Sequence, residues 1–185
     1  MPLVYEGRRA MRIYQFNIEN IPNVASLMST IKPDFWDYQG AFSQLSDIRN
    51  SAVNVGWLIG EREHDPKGWL LCHDYPNYSC LSIECLGFDD NGNFVAEHQL
   101  EPLLNKAEEY ARDSGYRVLR YTISSTDMSC HGKPLGNYWE ALRDLKSDTR
   151  AHFEYFVKYG FKPAGFLPNC YAKGYHGVMM VKELI

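Results

Sequence analysis

Apolar residues recur at two periods along this chain, and the switches between those periods lay out its elements. Met11 to Phe16 alternates apolar and polar positions as a half-buried strand does. Asn20-Ile21-Pro22 follows, with a proline suited to a first helical turn, and predicts a helix running towards Ile31. Lys32-Pro33-Asp34 breaks that helix, and Phe35 to Asn50, rich in Phe35, Trp36, Tyr38 and Phe42, predicts a second helical piece. Val53, Val55, Trp57 and Ile59 then alternate with Asn54, Gly56 and Leu58, the period of a strand. Glu63-His64-Asp65-Pro66-Lys67-Gly68 has the composition of a hairpin turn and leads into a strand over Trp69 to His73. Tyr75 to Tyr78 turns the chain once more, into a strand over Cys80 to Phe88.

The second half reads as helix, strand, helix. Leu100, Leu103, Leu104, Ala107, Tyr110 and Ala111 recur at helical spacing, with Pro102 early and Gly115 late. Val118 to Ser124 predicts a strand, and a helix over Thr149 to Tyr159 ends at Gly160, where a left-handed cap costs glycine little. Ala164 to Leu167 and Val178 to Glu183 supply the last strands. Between the strand at Val118 and the last helix, Thr126 to Ser147 is long for a connection in a compact domain, a length often put to functional use. It suits a substrate lid or wall, an oligomer contact or a plain insertion, and Tyr138 to Arg143 reads as a short helix inside it. Three successive strands imply an antiparallel meander, and the later crossover makes the sheet mixed. The expectation is one α/β (α+β) domain over 11–185, with a mostly antiparallel central sheet flanked by helices, an extension over 1–10 and an insertion over 126–147.

Composition narrows the partners. At 185 residues and 45% hydrophobic the chain is long enough for one substantial core. A net charge of −4 argues against an extended nucleic-acid or anionic-membrane footprint, so neither is expected as a partner. No segment has the apolar length of a signal peptide or a bilayer span. Cys72, Cys80, Cys85, Cys130 and Cys170 are odd in number and form no Cys-x-x-Cys pair, which fits a reducing cytoplasm better than a disulfide framework. His73, His131 and His176 lack zinc-ligand spacing, and no metal is expected.

The order of elements from Cys80 to Pro163, closed by Tyr159-Gly160-Phe161-Lys162-Pro163, resembles the second half of the GNAT superfamily of acetyl-CoA-dependent N-acetyltransferases. The resemblance implies a single GNAT-like domain that takes acetyl-CoA as co-substrate and a small-molecule or peptide amine as acceptor. In that family a Gln/Arg-x-x-Gly-x-Gly/Ala loop opens the long helix, and its amides hold a pyrophosphate, as a helix N-terminus can. Aligned on Leu103-Leu104, this chain has Val95, His98 and Leu100 at those positions. Amides over Glu97, His98, Gln99 and Leu100 would meet the pyrophosphate, with the Glu97 and Glu101 carboxylates opposing it.

Leu86, Gly87 and Phe88 fall where the family pairs pantetheine and polarises the thioester. The tyrosine that many members use as acid is Phe156 here, lining the thioester channel, with Tyr155 beside it as a substitute acid. Alternation places Ser82 and Glu84 opposite Leu81, Ile83 and Cys85, which makes Glu84 the candidate base; a solvent-facing or cation-paired glutamate fits the same pattern. Tyr138 and Trp139 of the insertion, with Tyr171 and Tyr175 of the run from Asn169 to Gly177, are the candidate acceptor contacts. The function implied is N-acetyl transfer from coenzyme A to a primary amine. The alternative is a GNAT-like binding or regulatory domain without catalysis. A homodimer is among the assemblies the sequence allows.

Overall fold

A computed structural model of the chain describes residues 11–50, 54–89, 96–126, 128–148 and 152–184. The extension over 1–10, Val53, Val95 and Thr149 lie outside the described residues. The strands are β1 (Arg12–Gln15), β2 (Asn54–Arg62), β3 (Asp65–Tyr75), β4 (Cys80–Phe88), β5 (Val118–Ser124), β6 (Lys162–Ala172) and β7 (Tyr175–Glu183). They form one sheet in the order β1-β2-β3-β4-β5-β7-β6. β1/β2, β2/β3, β5/β7 and β6/β7 are antiparallel, and β4/β5 is parallel. The helices are α1 (Ile21–Ile31), α2 (Tyr38–Asn50), α3 (Ala96–Asp113), α4 (Tyr138–Arg143) and α5 (His152–Lys158). The mixed, mostly antiparallel sheet flanked by helices is therefore the one expected.

The chain divides into two compact units. One comprises the chain up to Asp74 with Cys85–Glu109, the other Tyr75–Glu84 with the chain from Tyr110.

In the first unit the apolar stripe of α1, Ile21, Val24, Ala25 and Met28, packs with Ala41 and Leu45 of α2 and with Leu58, Trp69 and Leu71 of the sheet. Trp69 is fully buried, and its Nε1–H donates to Cys85 Sγ at 3.1 Å, so the indole keeps a polar partner inside the core. The same ring dictates Gly87: a Cβ there would lie 2.3 Å from Trp69 Cη2.

In the second unit β5 alternates. Leu119 and Ile123 are buried, and Tyr121 between them meets Phe156 of α5 at 5.0 Å. Arg120, Thr122 and Ser124 are half-buried on the other face. α5 ends as expected: Gly160 has φ 94°, its amide bonds to the Val157 carbonyl, and the Phe161 amide reaches back to Phe156. α3 closes in the same way, with Gly115 at φ 76° and the Tyr116 amide on Ala111. Both helix ends have their last carbonyls satisfied by the two bonds of a Schellman cap.

Four expectations are corrected. The β2/β3 turn is only Glu63-His64, and Asp65 to Gly68 already belong to β3. Phe35 lies in a turn and α2 starts at Tyr38, because the Asp37 carboxylate caps it by accepting from the Gly40 amide at 2.6 Å. β6 runs to Ala172, well beyond Leu167; it stands last in the sheet, where Pro163 and Pro168 are tolerated. α3 begins at Ala96, so Pro102 is interior rather than early. Having no N–H, it leaves the carbonyl of His98 unbonded by the helix, a local cost borne by the buried stripe of Leu100, Leu103, Leu104 and Ala107.

Gly87→Ala is expected to overpack the indole and cost about 1–3 kcal/mol. Urea midpoints should show this, and a double-mutant cycle with Trp69→Phe should recover part of the loss, whereas additive effects would mean that the ring is not the obstacle.

Candidate active site

β4 is buried along its whole length except at one residue, Glu84. The parallel ladder pairs Cys80↔Val118, Leu81↔Leu119, Ser82↔Arg120 and Ile83↔Tyr121, and Glu84 is the next residue beyond its last pair. Ser82 and Glu84 do share a face, as alternation requires, but Ser82 is buried at 3% exposure. The reason is its register partner. Arg120 donates through both Nε and Nη2 to Ser82 Oγ, each at 3.1 Å, and its guanidinium stacks over the Tyr75 ring at 5.2 Å. Nη2 then lies 3.9 Å from Glu84 Oε1, with side-chain exposures of 37% for Arg120 and 41% for Glu84. At that distance the pair attracts without a hydrogen bond.

Arg120 escaped the sequence reading, although the alternation of Arg120, Thr122 and Ser124 along β5 was its signal. This polar face continues onto the β6/β7 ribbon. Ser124 Oγ and Thr126 Oγ1 lie 2.6 Å apart, and both reach the Tyr175 hydroxyl, at 3.1 and 2.5 Å. Tyr171 packs against Tyr175 with ring centres 5.1 Å apart. Burial first, then the neighbouring Cys170, Tyr175 and Glu84, push the Tyr171 hydroxyl above its ordinary value of 10.0, so it is a proton-bearing group at neutral pH. Glu84, Tyr171 and Tyr175 are thus brought to one region, with Arg120 added. Gly177 is required there by close packing: a Cβ would meet Thr122 Cγ2 at 2.8 Å and Cys170 Sγ at 3.1 Å.

Tyr138 and Trp139 stand apart from that group. Asn137 caps α4 by accepting from the Trp139 amide at 3.0 Å, Tyr138 meets Phe166 at 6.2 Å, and Trp139 is 79% exposed. The insertion that carries them is firmly rooted. Met128 bridges Ser147, the Ser129 amide donates to the Lys146 carbonyl at 2.9 Å, and the Gly132 amide donates to the Gly174 carbonyl at 2.9 Å.

His176 fastens it further. At 1% exposure, its Nδ1 accepts from the Asn169 amide at 3.0 Å, so Nε2 carries the proton and donates to the Lys133 carbonyl at 2.9 Å. The His176 amide donates to Ser125 Oγ at 2.9 Å, and Ser125 Oγ lies 3.2 Å from His131 Nδ1. His176 is therefore a structural staple. Cys130, beside His131 in sequence, is buried, and burial pushes its thiol above 9.0, the opposite of what a nucleophile needs. Among the described residues no group of three or more His, Cys, Asp or Glu could hold a metal ion.

Tyr155 is half-buried, meets Phe156 edge-on at 6.1 Å and stacks with Tyr159 at 6.4 Å. Phe156 is buried between Tyr121 and Phe161, at 5.0 and 5.5 Å.

In the other unit, Leu86, Gly87 and Phe88 end β4, and the Asp89 amide donates to the Lys67 carbonyl at 2.7 Å. Glu97, His98 and Gln99 fall in the first turn of α3, their side chains outside the described residues. A helix starting at Ala96 leaves the amides of Ala96, Glu97 and His98 without helical partners, a donor set that fits a diphosphate. The Leu100 amide returns to the Ala96 carbonyl in helical geometry and its side chain is buried, so Leu100 belongs to the core side of this turn.

The strand order, the parallel β4/β5 pair and the α5 cap at Gly160-Phe161 make this the fold of the GNAT acetyltransferases. It is similar to an aminoglycoside 6'-N-acetyltransferase solved in complex with coenzyme A, at TM-score 0.81 and 13% identity over 94% of this chain and 97% of that one. It is also similar to the aminoglycoside 6'-N-acetyltransferase from Enterococcus faecium, at TM-score 0.76 and 15% identity over 94% and 97%. A GNAT-family protein from Desulfovibrio desulfuricans matches at TM-score 0.64 and 12% identity over 95% and 100%. No family model matches the chain, and no curated protein matches it in sequence.

His176→Ala strands the Asn169 amide and the Lys133 carbonyl and is expected to cost about 2–4 kcal/mol in urea unfolding. A loss below about 0.5 kcal/mol would show that the insertion and the ribbon are not held through this ring.

Proposed function

We propose that the protein is an N-acetyltransferase that moves an acetyl group from acetyl-CoA to a primary amine by direct attack within a ternary complex. The observation that carries this reading is Glu84, the one exposed residue of a strand otherwise buried, placed immediately past the last parallel pair with β5. Glu84 takes a proton from the ammonium, the freed amine attacks the thioester carbonyl, a C–N bond forms, the C–S bond breaks, and the nitrogen releases its second surplus proton to solvent. The sulfur leaves as a thiolate, which a thiol of ordinary acidity permits without a dedicated acid. Tyr155 is the side chain of α5 proposed to supply a proton where one is needed.

The first-turn amides of α3 would hold the pyrophosphate, with Glu97, His98 and Gln99 around it. The backbone of Leu86, Gly87 and Phe88 would hold pantetheine, and Phe156 would wall the thioester. Tyr171 and Tyr175 would contact the acceptor near Glu84, with Tyr138 and Trp139 further out on the insertion. The neighbour solved with coenzyme A supports this co-substrate, and the aminoglycoside enzymes support an amine acceptor in general terms. A cytoplasmic protein, alone or as a homodimer, suits five free thiols.

A second reading, a binding domain without catalysis, draws on Phe156, whose phenyl ring has no proton to give at the position where the family often has a tyrosine.

Calorimetry with acetyl-CoA and turnover on a panel of primary amines separate the two. Glu84→Gln is expected to keep coenzyme affinity and lower kcat by about 10²–10⁴-fold. Unchanged turnover would remove Glu84 from the mechanism, and no binding at millimolar acetyl-CoA would reject the enzyme.

A further inference from the structure

We infer that the acceptor carries a carboxylate beside its amine, as an α-amino acid does, with Arg120 gripping the carboxylate while Glu84 receives the ammonium. The inference rests on the acetyl-transfer reading and names the substrate class of that same site.

Its basis is how Arg120 is held. Two of its five N–H groups go to one buried hydroxyl, Ser82 Oγ, and its Cζ lies over the Tyr75 ring, so the guanidinium is fixed by neutral neighbours and not by the carboxylate next to it. Among the described residues its remaining N–H groups meet no hydrogen-bond acceptor; Glu84 comes no closer than 3.9 Å. Glu84 likewise accepts no hydrogen bond from the described residues. Each charge is more than a third exposed. Two opposite charges have thus been fixed side by side, each with its bonding directions open to solvent.

A ligand that satisfies both must present the opposite signs one carbon apart, in antiparallel order over the pair. A zwitterionic amino acid does this, and the planar fork of arginine matches its carboxylate in bidentate fashion. A polycation would meet Glu84 and be repelled by Arg120 on the same face.

The test uses the full chain, acetyl-CoA and a panel of α-amino acids, each compared with its amide and its decarboxylated amine. The best acid is expected to exceed both analogues in kcat/KM by about tenfold to a hundredfold, the range of a charge-assisted bond. Arg120→Gln should bring that ratio close to unity, and Arg120→Lys, a point charge without the fork, should leave an intermediate ratio; thermal melts establish that both variants fold. Equal rates for acid, amide and amine in the unsubstituted protein would overturn the inference without any variant, as would a ratio that survives Arg120→Gln.

If no amine is acetylated, calorimetry with the amino acids alone decides. Binding that Arg120→Gln abolishes keeps the zwitterion site while the acetyl-transfer reading falls; no binding overturns both.

Discussion

An ionised carboxylate survives on a buried strand only where water reaches it or a cation answers it. Glu84 has both conditions, and much of the second unit is arranged around meeting them. β4 gives up burial at this one position. β5 turns a polar face to it, through Arg120, Thr122 and Ser124, while Leu119 and Ile123 keep the opposite face in the core. The cation is itself steadied by a hydroxyl and an aromatic ring, so its position does not depend on the carboxylate. That independence separates a prepared pair of charges from an incidental surface ion pair, whose contribution to stability is small in any case.

Packing and chemistry share residues in the first unit. The absence of a side chain at Gly87 is forced by Trp69, and the same residue lies in the backbone stretch proposed to hold pantetheine. Likewise the amides at the start of α3 are open because any helix leaves them so, and the buried Leu103 and Leu104 fix where that start falls. Both features follow from packing and helix geometry, and no glycine loop is needed to leave those amides open.

The sheet and the helices were legible because each has one clean period. Met11 to Phe16, Val118 to Ser124 and the stripe from Leu100 to Ala111 could hardly be read otherwise. The start of α3 is hidden in the sequence because Pro102 looks like a first-turn residue, and only the packed stripe shows that the helix tolerates it inside. The extent of β6 beyond Leu167 is hidden too, since Pro168 and Asn169 break the alternation, and Asn169 indeed takes a left-handed φ of 54°. Of the site, Glu84 and the tyrosines at 171 and 175 were visible as residue types in suggestive places. Arg120 was not, because its meaning lies in the parallel register that sets it opposite Ser82. Register between strands separated by a long helix is not written in either strand.

The His176 staple gives the ribbon and the insertion a common mechanical fate. A shift in either would have to break the bonds to Asn169, Lys133 and Ser125 together, so these segments transmit displacement as one stiff piece. Length and sequence can therefore drift freely only beyond that clamp, around α4, where Trp139 stands almost wholly in water. Descendants of this chain would be expected to diversify at that tip first and at the clamp last.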